Sequence, residues 1–421
     1  MSNNPSLNTS VQKPKRIEWI DMLKGILFFF VIVGHMRIGK VFKSWIYSFH
    51  MPLFFYVTGF NFSIEKTYNA KFSDYFLKLF KRLLVPYLWM QLLCMGLKFI
   101  TSAVSDHWEV PAILYIKGII YGNSAVIKSP SNPLYFVLVL FLAKLLLYFI
   151  IKLARGNETA TYIICLALLP LSLFTQDTYI LLHINVVPAA IVFIMIGNLL
   201  SKAYGKTEQI IKNSGIIKPL LCSVLFAALG FFIWRFNGRI SVHGNSYGKS
   251  FILCVLCSVS TGIALALISM KLPKLKLLTF VGMNTLFYLG IHKELILILE
   301  ALFKPYRKAP LFIICGSVAI FLILVPITLL FRRFAPFVLG SSPKDDGIAS
   351  KIAQYICVVA ATCVPYQYFL NHLSDGLLKS SVPVYAAMIV LYFAICAILF
   401  LLFRKVIRFA FLIEKEKTPA K

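Results

Sequence analysis

The stretch Trp19-Ile20-Asp21-Met22-Leu23-Lys24-Gly25-Ile26-Leu27-Phe28-Phe29-Phe30-Val31-Ile32-Val33-Gly34-His35-Met36 decides how the whole chain is read. It is close to the ~20 apolar residues that cross a bilayer as a helix, yet it carries Asp21, Lys24 and His35. Ionisable groups inside a hydrocarbon layer are costly and usually mark function. Lys24 and His35 stand eleven positions apart, and eleven steps of about 100° end within about 20° of three full turns. Both side chains therefore leave one face of the helix, about 16 Å apart along its axis. Asp21 lies one turn before Lys24, spaced to pair with it. Two readings are open on these residues alone. In one, Lys24 snorkels, His35 caps at the headgroups and Asp21 is the counter-ion that makes Lys24 tolerable in lipid. In the other, the face does chemistry. The run ends Gly34-His35-Met36 without a small-residue cleavage site, so a retained first span is expected rather than a signal peptide.

The rest of the chain shares that character. Of 421 residues, 59% are hydrophobic and only 14% charged, with a mean hydropathy of +0.81. A soluble domain has about 25% charged residues, so a water-soluble enzyme is excluded. Twelve spans are expected. The first six are Trp19–Met36, Trp45–Ile64, Leu83–Val104, Leu134–Ile151, Ala160–Thr175 and Ile184–Ala203. Leu220–Trp234, Phe251–Met270, Leu277–Phe303, Pro310–Phe331, Ile352–Leu370 and Pro383–Phe403 follow. Ala160–Thr175 is the weakest, being short and interrupted by Pro170. Continuous apolar runs are helices, not the alternating strands of a barrel, so the fold class is an all-α polytopic membrane bundle.

The 43 Lys and Arg against 16 Asp and Glu give a net charge of +27. In a soluble protein that excess suggests nucleic acid, but here the cations cluster between apolar runs, as topology signals do. No nucleic-acid partner is expected. With the N-terminus inside, cytoplasmic segments hold more than twice the Lys and Arg of outer ones, so both termini are placed in the cytoplasm. Residues 1–14 read as a disordered cytoplasmic lead and 15–335 as the transmembrane core. Residues 336–403 form a hydrophilic connection with two further spans, and 404–421 a basic cytoplasmic tail. The cysteines are scattered or lie within apolar runs. Cys254 and Cys257 form a CxxC without a second pair or a His cluster, so packing is expected and no metal.

The second span opens Phe49-His50-Met51-Pro52-Leu53-Phe54-Phe55-Tyr56-Val57-Thr58-Gly59-Phe60, and a short hairpin from the first span brings His50 near His35. Thr58-Gly59 suits close helix approach. Together these residues carry a resemblance. Ile20-Asp21-Met22-Leu23-Lys24-Gly25-Ile26, continuing to Val33-Gly34-His35, resembles the opening signature of the membrane acyltransferase-three family, the polysaccharide O-acetylase and fucose 4-O-acetylase type. Its hallmark is a basic residue separated by ten others from a His. The stretch Phe49 to Phe60 is similar to the family's second motif. Lys81-Arg82-Leu83-Leu84-Val85-Pro86-Tyr87 is similar to its third, and Asn284-Thr285-Leu286-Phe287-Tyr288-Leu289-Gly290-Ile291-His292 to a late segment. The resemblance is strong over about the first ninety residues and diffuse beyond. The family core usually has ten spans. The last two here, after Arg332–Lys351, are either an addition or a sign of split re-entrant segments.

The resemblance implies transfer of an acyl group, acetyl above all, from cytoplasmic acyl-CoA to a hydroxyl of an extracytoplasmic or lipid-linked carbohydrate, in the bacterial cytoplasmic membrane. Acyl-CoA is then a co-substrate and no permanently bound cofactor is expected. Such transfer needs a base for the alcohol and positive charge for the thioester oxygen. His35 is the expected base, whether by direct attack or an acyl-His relay. Lys24 orients the donor or stabilises charge, with Asp21 beside it. Lys78, Lys81 and Arg82, at the mouth of the third span, suit the donor's phosphates; positive-inside topology explains them equally. His50, His292, Asn132 and Tyr135 are candidate acceptor contacts, although Tyr135 is also at home as an interfacial anchor. Lys293 and Glu294 satisfy one another beside His292. His107, His183, His243 and His372 fall in or beside outer loops and receive no role. Two other readings fit the composition: a twelve-helix transporter or flippase for a glycan-related substrate, and a structural membrane subunit.

Overall fold

The computed structural model describes residues 17–105, 112–340, 351–352, 354–356, 358–359, 387 and 390–402. The lead 1–14, most of the eleventh expected span, part of the twelfth and the tail 404–421 lie outside the described residues, as do His107 and His372. The described chain is an all-α bundle. Ten of its helices have sixteen or more residues: α1 (Glu18–His35), α2 (Lys40–Phe60), α5 (Val85–Ser105), α7 (Tyr135–Leu153), α8 (Glu158–Leu173), α9 (Val187–Asn213), α10 (Ile217–Asn237), α11 (Phe251–Lys271), α13 (Thr285–Leu302) and α14 (Pro310–Phe334). They correspond in order to the first ten expected spans. Four shorter helices join them: α3 (Ile64–Asn69), α4 (Phe72–Leu79), α6 (Ala112–Tyr121) and α12 (Lys276–Met283).

Composition marks which helices cannot face lipid. The stretches 132–153, 181–213, 217–237, 251–271 and 310–334 are long and apolar enough to cross a membrane. The outermost, α10, turns Leu220, Leu221, Val224, Leu225 and Phe232 outward, as a lipid-facing helix must. By contrast α1 carries Glu18, Asp21 and Lys24, and α13 carries Lys293, Glu294 and Glu300. These two pack on each other, and α1 is surrounded by α2, α11, α12, α13 and α14. Helices too polar to face lipid are thus enclosed, together with the apolar α7 and α9, which are mostly buried.

Backbones approach closely where glycine allows it. A Cβ on Gly59 of α2 would sit 1.8 Å from the Ile194 carbonyl oxygen of α9, and one on Gly197 of α9 would sit 2.1 Å from the Tyr56 oxygen of α2. The pair is reciprocal, a small-residue crossing of the kind that replaces hydrophobic drive in lipid. A Cβ on Gly25 would meet the Leu278 oxygen at 2.3 Å, and one on Gly282 the Asp21 oxygen at 1.7 Å, so α12 is pressed against the first turns of α1.

Two local features depart from the expected spans. Leu277–Phe303 is not one helix: the chain leaves helical geometry at Asn284 (φ −119°, ψ 16°), whose Nδ2 donates to the Phe280 carbonyl at 2.6 Å. That bond closes the end of α12 with a side chain and lets α13 start in a new direction. The third span begins with a π-helical turn, Phe80–Leu84, in which Val85 N–H reaches back to Phe80. Pro86 lacks an N–H, so the turn before it has no regular partner to close on and widens.

Gly59→Ala and Gly197→Ala should each destabilise the bundle by about 1–3 kcal/mol through overpacking. Gly205→Ala, on the same helix with nothing near its Cβ position, should leave it level or higher. Thermal unfolding in detergent checks this; equal midpoints for all three would disprove the crossing.

Candidate active site

Three histidines and a tyrosine converge where α1 ends. His35 is the last residue of α1, and its ring lies 5.1 Å from that of His292 of α13, centroid to centroid, and 6.2 Å from Tyr47 of α2. Tyr47 in turn is 5.1 Å from His50. His50 and His292 are buried. His50 Nδ1 donates to the Ile46 carbonyl at 2.7 Å, and His292 Nδ1 to the Tyr288 and Leu289 carbonyls at 3.0 Å. A carbonyl can only accept, so Nδ1 carries the proton in each neutral ring and Nε2 keeps its lone pair. Nε2 of His292 has no hydrogen-bond partner.

The cluster is braced from outside. Ser131, just before Asn132, donates through Oγ to the Gly290 carbonyl at 2.9 Å and exchanges two hydrogen bonds with the Gln91 amide of α5. A Cβ on Gly290 would meet Met90 Sδ at 2.4 Å, so α5 is pressed on α13 two residues before His292. Lys98 of α5 forms an ion pair with Glu294 at 3.2 Å. Lys293 follows His292 directly in α13.

Below the histidines, toward the start of α1, lies a cavity of about 670 Å³. Ligand pockets span roughly 300–1,000 Å³, so it has room for one extended organic group. Its polar wall holds Lys24, Lys66, Lys78, Arg82 and Lys144 against Asp74. Its apolar wall is built from Phe28, Met51, Phe54, Phe136 and Leu289. Phe28 has a second face: its ring stands edge-on to His292, 5.4 Å away at 85°. Met51 follows His50 directly. One layer of apolar side chains therefore separates a cationic cavity from the histidine cluster.

The structure assorts the expected residues as follows. Lys24 lines the cavity and is ion-paired to Asp21 at 2.7 Å, with Asp21 buried. Lys78 and Arg82, four positions apart on one helical face, line it too; Lys81 is buried outside that wall. His35, His50 and His292 come together. Asn132 accepts from Ser124 Oγ beside the Ser131 brace, while Tyr135, the first residue of α7, sits instead against His183 and His243, 5.0 and 4.7 Å away. Glu294 pairs with Lys98 of α5, not with Lys293 as expected. Lys144 and Tyr47 were not singled out by sequence. For Lys144 a signal existed, a lysine midway through the apolar run Tyr135–Leu153. Tyr47 carried none, since aromatic residues near span ends are ordinary anchors.

Lys144→Cys, in a chain whose exposed Cys222 and Cys315 are replaced by Ser, should react with a hydrophilic maleimide, and Met90→Cys should not. Labelling followed by mass spectrometry reads both; equal reaction would show that the cavity is not a separate wet space.

A family model for an acyltransferase domain, that of the acyltransferase-3 family, matches residues 17–329. No curated protein and no solved structure matches the chain. The match runs from the start of α1 into α14, well past the ninety residues that carry the sequence resemblance. It contains every residue of the cavity and of the histidine cluster. Carrier and scaffold readings give way to it. The chain belongs to the acyltransferase-3 family, and its activity is acyl transfer at a membrane.

Proposed function

We propose that the protein moves an acetyl group from cytoplasmic acyl-CoA to a hydroxyl of a carbohydrate, extracytoplasmic or lipid-linked, with both termini inside a bacterial cytoplasmic membrane. The observation that carries this reading is the cavity: five cations at one side, an apolar wall at the other, and the histidines just behind that wall. Coenzyme A has that polarity, anionic phosphates on one end and a neutral pantetheine thioester on the other. Lys78 and Arg82 take the phosphates as charge-assisted partners, and Lys144 and Lys66 add to their field. The pantetheine arm then runs past Lys24 toward Phe28. The Lys and Arg bias supports the cytoplasmic placement of this mouth.

The chemistry follows from proton positions. His35 accepts the acceptor's hydroxyl proton as its oxygen attacks the thioester carbonyl carbon. The C–S bond breaks, coenzyme A leaves as its thiol with a proton returned by the same imidazole, and the ester oxygen keeps the acyl group. The lone pair on Nε2 of His292 lies beside His35 to hold the hydroxyl or the imidazolium in place. Lys293 supplies positive charge near the developing oxyanion. His50 and Asn132 line the acceptor's approach. Donor and acceptor meet from opposite ends of the bundle, and the apolar layer at Phe28 excludes water that would hydrolyse the thioester.

Mass analysis of surface glycans should show an added 42-dalton acetyl mass (about that value for acetylation) in cells with the wild type and none in cells with His35→Ala or no copy. Wild-type mass retained in His35→Ala would remove His35 as base. In membranes, Arg82→Ala should raise the KM for acetyl-CoA roughly tenfold or more, the worth of a hydrogen bond to a charged group, with kcat little changed. An unchanged KM would separate Arg82 from the donor.

A further inference from the structure

A second histidine cluster stands at the end of the bundle opposite the donor cavity. Tyr135, His183 and His243 form a triangle with ring centroids 5.0, 4.7 and 4.8 Å apart. His183 is 1% exposed and His243 half-buried. The Nε2 atoms of both rings are buried without a hydrogen-bond partner. Buried polar atoms in folded proteins are nearly always bonded, so two orphans in one place call for an explanation.

The backbone goes to some trouble to put them there. Leu182 and His183 are both left-handed, at φ 53°, a conformation that residues with a Cβ adopt at a cost and that gathers at functional sites. Asn123 holds this turn by donating from Nδ2 to the Ile180 carbonyl at 3.1 Å, with His183 Nδ1 3.5 Å from the same nitrogen. His243 lies on a hairpin between β1 (Ile240–Ser241) and β2 (Ser246–Tyr247). Buried Asn245 ties that hairpin to the end of α8, donating to the Ser172 and Thr175 carbonyls at 2.9 and 2.7 Å. Ser172 Oγ donates to the Asn185 carbonyl at 2.5 Å, two residues past His183. Turn and hairpin are thus clamped together, with the imidazoles facing each other.

The cluster is continuous with the reaction histidines. Ser131, four residues before Tyr135, donates to the Gly290 carbonyl, two residues before His292, whose ring lies beside His35. Burial and the charge of Lys293 push His243 down to about 4, so at neutral pH its ring is uncharged, with one nitrogen to donate and one to accept. No group of three His, Cys, Asp or Glu suited to a metal occurs among the described residues. Neutral imidazoles paired with an aromatic ring suit a polyhydroxylated ring, whose hydroxyls donate and accept and whose C–H faces stack on tyrosine.

We infer that His183 and His243, with Tyr135, form the subsite that binds the saccharide ring of the acceptor and selects it. This rests on the proposed carbohydrate acceptor. The test uses membranes carrying the full chain, radiolabelled acetyl-CoA, and envelope glycan extracted from host cells lacking the gene. His183→Asn and His243→Asn should raise the glycan concentration for half-maximal rate roughly tenfold or more, as expected when hydrogen bonds to a bound hydroxyl are lost. The KM for acetyl-CoA should stay unchanged, which also shows that the variant is folded. If His183→Asn loses acetyl-CoA binding, half-buried His243→Asn decides the matter. An unchanged glycan requirement with a lower kcat would overturn the subsite, because the rings would then serve chemistry or packing. One zinc per purified wild-type chain, lost in both variants, would overturn it too. If the wild type moves no label to the glycan, the carbohydrate acceptor itself falls, and the subsite with it.

Discussion

Everything in this bundle depends on where α1 is allowed to sit. A helix with Asp21, Lys24 and His35 cannot present those groups to hydrocarbon without a penalty that grows toward the bilayer centre. The bundle resolves this by enclosing α1 within five other helices and giving each ionisable group a local answer. Asp21 and Lys24 pair at 2.7 Å, Lys24 borders a cavity that other cations share, and His35 reaches the histidines of α2 and α13. A buried ion pair is weak evidence for stability, since desolvation offsets most of its Coulomb gain. Its value here is positional: it aims Lys24, while the rotation of α1, set by the helices packed around it, gives the direction of His35 three turns on.

That rotation creates two compartments on one helical face. Lys24, Phe28 and His35 follow one another along α1, and they belong to the cavity, the apolar layer and the histidine cluster respectively. In the proposed reaction the acyl group crosses from one to the other, and the charged part of its carrier does not. A single ring, Phe28, contacts both sides. In that reaction the same layer would also keep water from the thioester. The glycines at 25, 59, 197 and 282 matter for the same reason, because close backbones leave little slack between α1, α2, α9 and α12.

Much of this was legible in the residues. The apolar runs identified the ten long helices in order, since hydrocarbon permits little else. The phase of Lys24 and His35 put them on one face because helical periodicity is local. Lys78 and Arg82 share a face for the same reason, and that spacing also separates Lys81 from them. The break at Asn284 was hidden, because a side chain hydrogen-bonding its own helix end looks like any polar residue inside an apolar run. His183 and His243 were hidden more deeply. Each sits alone in a loop sixty positions from the other, and their meeting depends on Asn123, Asn245 and Ser172, whose partners are backbone carbonyls that no side-chain pattern reveals.

By itself the sequence determined the medium, the helices and the chemistry available on each: a lipid-spanning all-α chain with a histidine and a lysine on one face of its first span. These follow from composition and from a period of 3.6 residues, both of which are properties of neighbouring positions. Only the tertiary structure decided which charges share a cavity and which histidine rings meet. Such pairings join α1 to α13, α7 to the hairpin and α4 to α7 across long stretches of chain. They are set by how closely helices approach and how each is rotated, and those depend on every contact around them at once.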